Sequence, residues 1–325
     1  MALLSRRRKQ RGLRLFFCTD VHGSEQCFRK FLNAASFYGV DHLILGGDML
    51  GKLLIPIVQN GNGSYYCNYG DQRYQNLDGA GVQAVKSEIR RFGHYPIVGS
   101  AELLQELEDE QARERVFRKI AYDSVVDWVM LAEERLRGTG VRCFMAPGND
   151  DFLEIDDALR GSEIVEFAEG RRILLESGHE MITTGYSNPT PWDTERELSE
   201  DQMAALLAKM VHDVLRPESL IAVIHPPPYN SELDSAPALD DDLGMKMDAG
   251  GVRMAPVGST AVHSFIEQVQ PLLGLHGHVH ESRGVAKIGR TMCINPGSEY
   301  SDGVLSGSIL ELAATDVISH QFVAG

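Results

Sequence analysis

The 325-residue chain has 46 acidic side chains against 31 lysines and arginines, which gives a formal net charge of −15 and a sequence pI of about 5.2. A chain this acidic repels the phosphate backbone of DNA and RNA, so the composition excludes stable, sequence-independent nucleic-acid binding. No apolar run reaches the roughly 18 residues of a membrane-spanning helix, so no membrane association is expected. The five cysteines lack C-x-x-C spacing and no secretory signal is recognisable, which favours reduced cysteines and a cytoplasmic location.

Residues 1–12 form a basic segment that contains the run Arg6–Lys9 and Arg11. This composition is typical of a solvated, flexible tail; an arm that touches RNA or a membrane is the alternative. Residues 13–325 suit one large α/β domain, because that length can bury a sizeable core without disulfides.

The domain begins with a strand-helix-strand pattern. The apolar run Leu13–Cys18 predicts a buried strand, and Asp20 and His22 follow it directly. Apolar residues at helical spacing come next, and His42–Leu45 predicts a second strand that ends close to Asp48. This order is typical of a doubly wound α/β sheet.

Residues 51–134 interrupt that alternation. Their first part is expected to be a loop, with turn signals at Gly61–Ser64 and Tyr69–Asp71. Their second part is expected to be helical, because Ser100 can serve as an N-cap for a pattern that runs, with a break, to Leu136. The segment is therefore predicted to be a loop-plus-helical insertion within the domain.

Short strands follow in the second half of the chain. Val165–Phe167 and Arg172–Leu175 are expected to pair with each other across a turn at Glu169–Gly170. Met181–Thr184 predicts another strand, and the last residues, 284–322, alternate in short strands that complete a second sheet.

Two capped helices are also predicted there. Ser199 and Gln202 have the spacing of a capping box, and Ser259 is placed to cap a helix over Thr260–Val269. Residues 226–258, between these helices, are expected to be a long loop that follows a further strand.

Seven polar side chains stand at the ends of five strand-like runs: Asp20, His22, Asp48, Asn149, His225, His278 and His280. The later runs are Val141–Met145, Leu220–Ile224 and Leu272–His276. Strand ends are where ligands bind in an open α/β sheet. Each motif alone is equally typical of a capped turn, but the ordered set indicates one site for two metal ions about 3.5–4 Å apart.

These motifs resemble the calcineurin-like metallophosphoesterases through Asp20-x-His22, Gly47-Asp48, Gly148-Asn149-x-Asp151, His225 and Gly277-His278-x-His280. Five stretches are similar to one branch, the Icc-related predicted phosphoesterases: Ser187–Trp192, His225–Tyr229, Gly258–Ser259, Gly277–Ser282 and Ile294–Ser298. The resemblance covers residues 13–50 and about 140–310, and it leaves 51–134 unexplained. It implies a four-layer α/β/β/α sandwich of two mixed sheets flanked by helices.

The resemblance also implies a role for each ligand. Asp20, His22 and His280 would bind one metal ion. Asn149, His225 and His278 would bind the other. Asp48 would bridge the two ions together with a hydroxide that attacks phosphorus. The mixture of imidazole and carboxylate suits Mn, Fe, Zn, Co or Ni, with Mn favoured, and is too nitrogen-rich for Mg or Ca.

Asn149, Asp150 and Asp151 are the predicted catalytic group. Asn149 can donate its amide N–H toward the phosphate, and the Asp151 carboxylate orients a neighbour. Asp150 departs from the family pattern, in which a histidine that acts on the leaving group commonly follows the asparagine. A carboxylate beside two cations is a poor proton donor. Another donor would then be needed, with His94 and His179 as candidates.

Several residues have two interpretations. Trp192 and Tyr229 are candidates for the substrate pocket, and loop packing is an equally good alternative. Tyr65, in the insertion, is a third candidate; a surface elaboration or a dimer contact is the alternative for that segment. His276 is expected to be a core residue by strand alternation. The aspartates at 240–242 are expected to be a solvated loop, because charge runs usually are.

The residues therefore predict a dinuclear metal-dependent phosphoesterase that hydrolyses a phosphodiester or cyclic nucleotide, with a small nucleotide-like substrate. A phosphomonoesterase or protein phosphatase is one alternative. A non-catalytic binding scaffold with the same fold is the other. The presence of all seven ligands argues against the scaffold, and the replaced histidine favours it.

Overall fold

The computed structural model describes residues 12–240, 242–248 and 250–325. The predicted basic tail, apart from Gly12, lies outside these residues. The described helices are α1 (Glu25–Tyr38), α2 (Gly79–Arg91), α3 (Ala101–Glu106), α4 (Glu110–Leu136), α5 (Ile155–Arg160), α6 (Glu200–Val211) and α7 (Thr260–Val269). Across the described part of the chain, no helix is both long and apolar enough to cross a membrane.

The first ten strands are β1 (Leu13–Cys18), β2 (His42–Gly46), β3 (Leu54–Gln59), β4 (Tyr65–Tyr69), β5 (Gln72–Leu77), β6 (Tyr95–Gly99), β7 (Arg142–Ala146), β8 (Val165–Phe167), β9 (Arg171–Leu174) and β10 (Glu180–Thr184). The later strands are β11 (Leu220–Ile224), β12 (Ser235–Pro237), β13 (Met247–Asp248), β14 (Gly251–Val252), β15 (Met254–Pro256), β16 (Leu273–Leu275), β17 (Gly284–Ile288), β18 (Thr291–Asn295), β19 (Ser306–Leu312) and β20 (Val317–Ala324).

The first large sheet has the strand order β20-β19-β1-β2-β7-β8. β1, β2, β7 and β8 run parallel; β19 is antiparallel to β1, and β20 is antiparallel to β19. Cys18 of β1 lies opposite Leu45 of β2, which lies opposite Met145 of β7. The three strands that precede predicted ligands therefore end at the same edge of the sheet.

The second large sheet has the order β17-β18-β16-β11-β10-β9. Its four central strands are parallel, and β17 and β9 close the two edges in the antiparallel direction. β11 and β16 are neighbours, so the loops that carry the last three predicted ligands also lie side by side.

Both faces of the central strands are covered, which explains why their sequences are almost continuously apolar. Leu15 and Phe17 of β1 pack in the core between the two sheets, whereas Phe16 and Cys18 pack in the core under α1 and α4. Helices α6 and α7 cover the outer face of the second sheet with a separate core. The predicted four-layer α/β/β/α sandwich is confirmed.

The expected loop in the first part of residues 51–134 is wrong. That region contains a four-stranded sheet in the order β5-β4-β3-β6, and α2 packs on it through a small core around Ile57 and Cys67. The strand signal is weak in this region because β5 is polar and largely exposed and β3 is interrupted by Pro56. The second part is helical, and the expected break falls between α3 and α4.

Two further predictions are wrong. β8 pairs with β7 in the first sheet and β9 with β10 in the second, so the turn at Glu169–Gly170 joins the two sheets instead of closing a hairpin.

Residues 226–258 are not a plain loop: β12 pairs with β15 and β13 with β14 in a segment that we call the arm. Short-range patterns indicate a strand but not its partner, which depends on burial in the complete fold.

Two of the three predicted serine caps are confirmed; Ser100 stands at the N-cap position of α3 but its side chain makes no capping hydrogen bond. Ser199 and Gln202 form both hydrogen bonds of a capping box, and the Ser259 hydroxyl accepts from Val262 N–H at the start of α7. All five cysteines are buried and unpaired, as their spacing indicated.

Candidate metal centre

All seven predicted metal ligands lie in loops at the carboxyl ends of parallel strands. The first sheet supplies Asp20, His22, Asp48 and Asn149, and the second supplies His225, His278 and His280. Hydrogen bonds of 3.0 Å join the loops after β1 and β2, from Asp20 N–H to Gly47 O and from His22 N–H to Asp48 O. His278 N–H donates to both oxygens of Asp20 at 3.1 Å, which ties the second sheet to the first.

Asp20, His22 and His280 form the first ligand group. Each offers one ligand atom, and the three atoms lie within 4.8 Å of one another. His22 Nε2 is 3.0 Å from His280 Nε2, and His280 Nε2 is 3.5 Å from Asp20 Oδ1. The structure thus brings together the three residues that the sequence assigned to one ion.

The other ligands lie beside this group. His278 Nδ1 is 2.8 Å from Asn149 Oδ1, and His225 Nε2 is 3.4 Å from Asp48 Oδ2. The same Asp48 oxygen is 3.6 Å from His22 Nε2, so Asp48 lies between the two groups. Asp20 Oδ1 also comes within 3.9 Å of His225 Nε2.

The imidazole rings of His22 and His225 present Nε2 to the carboxylates of Asp20 and Asp48. Nδ1–H of His22 donates to Leu50 O at 3.3 Å, and Nδ1–H of His225 donates to Gly46 O at 3.1 Å. His225 Nε2 is buried and has no hydrogen-bond partner, which is costly for a polar atom. Ring orientation by a backbone carbonyl is typical of metal-binding histidines. The residues therefore fit a pair of divalent metal ions.

Opposite charges are concentrated at this site. Burial raises the pKa of Asp48, but His225 and His22 outweigh it and hold that pKa well below its usual range. Burial likewise opposes ionisation of Asp20, yet His280 and His225 bring its pKa to about 2. Burial lowers the pKa of His225, while Asp48 and Asp20 raise it to about 10. The Asp20 and Asp48 carboxylates thus stabilise a positive charge beside them. A proton on His225 supplies that charge in the protein alone, and a bound cation can replace the proton.

Asp151 supports the ligand loops from behind. Its buried carboxylate accepts hydrogen bonds of 2.8–3.0 Å from the N–H groups of Met49, Leu50 and Gly148. Burial and the charge of Asp48 raise the pKa of Asp151 to about 7, against these N–H groups, which lower it. Its contacts hold the loops of Asp48 and Asn149 together, which is a positioning role.

Asp150 lies at the mouth of the site and contacts a residue that the sequence analysis missed. Lys52 Nζ is 2.9 Å from Asp150 Oδ2, and the amide of Asn149 donates to Asp150 Oδ1 at 3.0 Å. In the protein alone, burial and Asp48 raise the pKa of Asp150 against the lowering by Lys52; two bound cations would act in the opposite direction. Nothing in the local sequence distinguishes Lys52 from any loop lysine.

Tyr300 is the second residue that was missed. Its ring centroid is 4.6 Å from that of His22 and 5.9 Å from that of His280, and it is half-buried. The sequence signal that could have identified Tyr300 was the neighbouring motif Ile294–Ser298. The Ser298 hydroxyl donates to Asp20 O at 2.6 Å, so this motif contacts the ligand loop.

Two of the three aromatic candidates lie near the ligands. Trp192 is 63% exposed and is two residues from Thr194, whose hydroxyl accepts from the Asn149 amide at 3.3 Å. Tyr229 is 40% exposed and belongs to the loop that His225 begins; its N–H donates to Ser259 O. Both therefore belong to exposed segments that contact or carry a predicted ligand, and their role in the substrate pocket stays a prediction.

Tyr65 is not at the site. It pairs with Gln59, at the end of β3 that is farther along the chain from Lys52, and it packs against the small core around Ile57 and Cys67. Its predicted role in substrate binding is wrong because β3 and β4 are extended strands that lead away from the metal centre.

The remaining candidates are also outside the ligand cluster. His276 is buried and its Nδ1–H donates to Ile224 O at 2.8 Å, as expected for a core histidine. His94 contacts the Tyr69 hydroxyl and His179 contacts Ser177 and Ala313 O, so neither faces the ligands. Asp240 and Asp242 are exposed, as predicted, and residue 241 lies outside the described residues.

No family model matches the chain. It is 30% identical over 152 residues to the uncharacterized protein MJ1162 of Methanocaldococcus jannaschii, which is 46% of this chain and 61% of that protein. The match therefore spans less than two thirds of that relative.

Solved structures are similar over nearly the whole chain. TT1561 of Thermus thermophilus is 13% identical, with a TM-score of 0.54 over 97% of this chain and 98% of that chain. Yfce, a phosphoesterase from E. coli, is 11% identical, with a TM-score of 0.30 over 95% and 98% of the two chains. The order of the strands in two six-stranded sheets and the likeness to TT1561 show that this chain has the fold of TT1561, a four-layer sandwich as the resemblance to the calcineurin-like metallophosphoesterases implied.

Proposed function

We propose that the chain is a dinuclear metal-dependent phosphoesterase that hydrolyses a phosphodiester or cyclic nucleotide, with manganese as the favoured metal. One observation carries this proposal: buried carboxylates and imidazoles from both sheets converge, with ligand atoms of Asp20, Asp48 and His225 within 4.8 Å of one another. The ligand atoms of Asp20, His22 and His280 lie equally close. An unpartnered nitrogen alone does not distinguish such a site, because Nε2 of the core residue His276 is also buried without a partner. The carboxylates of Asp20 and Asp48, 3.9 Å and 3.4 Å from His225 Nε2, distinguish His225.

Two divalent ions bound there would supply an activated water at neutral pH and neutralise charge on the phosphoryl oxygens. The chain's own residues supply orientation. The Asn149 amide N–H groups point to Asp150 and Thr194 at the rim, which is where they can also meet a phosphoryl oxygen. Asp151 keeps that loop in place through backbone N–H groups.

A nucleotide-like substrate is supported by the rim. Trp192 and Tyr229 are 63% and 40% exposed and belong to loops that contact or carry a predicted ligand, so their rings are available as flat apolar surfaces. Such faces stack on nucleobases, and each base stacked on an aromatic ring contributes about 1–3 kcal/mol in other systems. We therefore favour a substrate with a base or aryl group next to the scissile phosphate.

The test combines metal content with turnover. The purified chain should bind two Mn²⁺ per molecule by elemental analysis and should hydrolyse bis(4-nitrophenyl) phosphate faster than 4-nitrophenyl phosphate. Asp48→Asn removes a charge from between the two groups, so it should lose metal and reduce turnover by at least about 10²-fold. Asp242→Asn, at an exposed aspartate of the arm, is the matched control and should change neither quantity.

A chain that binds no metal but folds normally would show that it is a binding scaffold. Faster turnover of the monoester would replace the diester assignment by a phosphomonoesterase. Full metal content and full turnover in Asp48→Asn would contradict the site assignment itself.

A further inference from the structure

Lys52 and Asp150 form an ion pair that is built into the mouth of the metal centre. The two side chains come from the loops after β2 and β7, which also carry Asp48 and Asn149. The Asp150 main-chain N–H donates to Asp48 Oδ1 at 3.0 Å. One oxygen of the Asp150 carboxylate lies within 4.8 Å of the nearest ligand atoms of His22 and Asp48. An ordinary surface ion pair has no such anchoring and contributes little.

The Asp150 carboxylate holds two donors at once. One oxygen accepts from the Asn149 amide at 3.0 Å and the other from the Lys52 ammonium at 2.9 Å. The Lys52 side chain is 47% exposed, whereas the side chains of Asp20 and Asp48 are 1% and 4% exposed. The metal ligands therefore line the floor of the site, and the ammonium stands above them at the opening.

The position of Lys52 relates it to one part of the reaction. In an in-line displacement the leaving oxygen departs on the side opposite the attacking oxygen. Metal ions held by the ligands on the floor would supply the attacking oxygen from that side, so the leaving oxygen would face the opening. Lys52 is the cation that the structure places there.

We propose that Lys52 binds the phosphoryl group on its leaving-group side and stabilises the negative charge that develops on the leaving oxygen, with Asp150 as the residue that positions it. This inference rests on the proposed function. The attacking oxygen forms a bond to phosphorus, the bond from phosphorus to the leaving oxygen breaks, and its electron pair stays on that oxygen. Lys52 keeps its protons, and the departed oxygen takes a proton from water.

This arrangement accounts for the absence of a histidine after Asn149. A fixed ammonium can stabilise the leaving oxygen by charge alone, without proton transfer. The role of Asp150 is then to position the Lys52 side chain over the site through their ion pair, and not to donate a proton.

The test uses Lys52→Met and Lys52→Arg, with Lys119→Met as a matched control. Lys119 also pairs with an aspartate, Asp123 at 2.6 Å, but on the outer helix α4. In the metal-loaded protein, Lys52→Met should bind inorganic phosphate about 10-fold more weakly by calorimetry, because a charged hydrogen bond is lost. Metal content should stay at the unmodified level, and Lys52→Arg should recover most of the phosphate affinity.

Turnover gives the second readout. Across a series of aryl phosphodiesters, Lys52→Met should lower kcat by about 10²-fold for the poorest leaving groups and much less for good ones. Lys119→Met should leave the series unchanged. Unaltered phosphate affinity together with an unaltered dependence on the leaving group in Lys52→Met would overturn the role of Lys52.

Asp150→Asn separates positioning from metal binding. Its expected phenotype is a weaker version of Lys52→Met with full metal content. Loss of a metal ion in Asp150→Asn would instead make Asp150 a metal ligand and overturn its assignment as the anchor. If the unmodified chain has neither metal nor turnover, the proposed function fails; if it has both and Lys52→Met behaves like it, only this inference fails.

Discussion

Single residues at the metal centre adopt backbone conformations that most residues avoid. Asp20, His22, Asp48 and His278 have φ values of 54°, 38°, 51° and 68°. Such left-handed geometry costs on the order of 1–3 kcal/mol per non-glycine residue and persists only where neighbouring structure enforces it. The bonds from Asp20 N–H and His22 N–H to the loop after β2 supply that enforcement. Four of the seven ligands are therefore pre-arranged at a conformational cost.

Glu169, at the turn that joins the two sheets, makes stability depend on pH. Its carboxylate accepts from Thr184 Oγ1 at 3.0 Å and from Gly185 N–H at 2.6 Å, and burial still raises its pKa to about 7. Between the unfolded value near 4.5 and about 7, only the folded state keeps the proton. Stability should therefore fall as pH rises through this window.

Glu169→Gln removes the titrating group, so the variant should lose less stability than the unmodified chain between pH 5 and pH 8. The expected difference is roughly 1–3 kcal/mol in urea unfolding. Glu163→Gln, at an exposed glutamate, is the control and should leave the pH dependence unchanged. Parallel pH profiles for Glu169→Gln and the unmodified chain would contradict this assignment.

At the scale of elements, buried Arg196 joins two loops of the site. It is 1% exposed; its Nε donates to Asp151 O at 2.8 Å and its Nη2 to Asp156 Oδ1 at 2.6 Å. The loop that contains Thr194 is thereby fastened to the segment between Asn149 and α5. The contacts of Arg196 with Asp151 and Asp156 could not be predicted from the sequence, because an arginine in a polar loop is usually exposed.

Arg196→Met should destabilise the chain by about 3–5 kcal/mol, because it leaves the buried Asp156 carboxylate without its main partner. Metal affinity should fall as well, since the loop of Asn149 loses its anchor. Urea unfolding and metal titration measure the two effects.

Arg160→Met is the matched control for that experiment. Arg160 contacts the other oxygen of Asp156 at 3.1 Å but its side chain is 54% exposed, so its loss should cost no more than about 1 kcal/mol. Equal destabilisation by the two substitutions would show that burial of Arg196 contributes nothing special.

At the scale of the whole molecule, the metal centre joins the two sheets. Asp20, Asp48 and Asn149 follow strands of one sheet, and His225 and His278 follow strands of the other. An ion bound to both sets links the two halves of the sandwich in the folded state only. Binding to the folded state alone increases stability by mass action.

Removal of metal by a chelator should therefore lower the Tm by at least about 5 °C, given about 4 kcal/mol for an ion present at 1,000 times its Kd. Differential scanning calorimetry with and without added Mn²⁺ measures the shift. Asp48→Asn should show a much smaller shift, because it lacks the central ligand. An equal shift in both proteins would mean that the metal acts elsewhere on the chain.

The sequence by itself determined the ligand-bearing strands and the chemistry at their ends. Runs such as Leu13–Cys18 and Leu220–Ile224 match the observed strands because strands buried on both faces are continuously apolar. The capping serines were also readable, since a cap is a contact between residues three positions apart. These signals are local, and they were sufficient for the choice of the seven candidate ligands, whereas the four-layer fold was expected from the resemblance to a known family.

Only the tertiary structure decided what lies around the ligands. It brings Lys52 to Asp150, places Tyr300 against His22 and moves Tyr65 away from the site. It also separates β8 and β9 into different sheets. Each of these outcomes depends on which distant segments share buried surface, and a local pattern of polar and apolar residues carries no information on that choice.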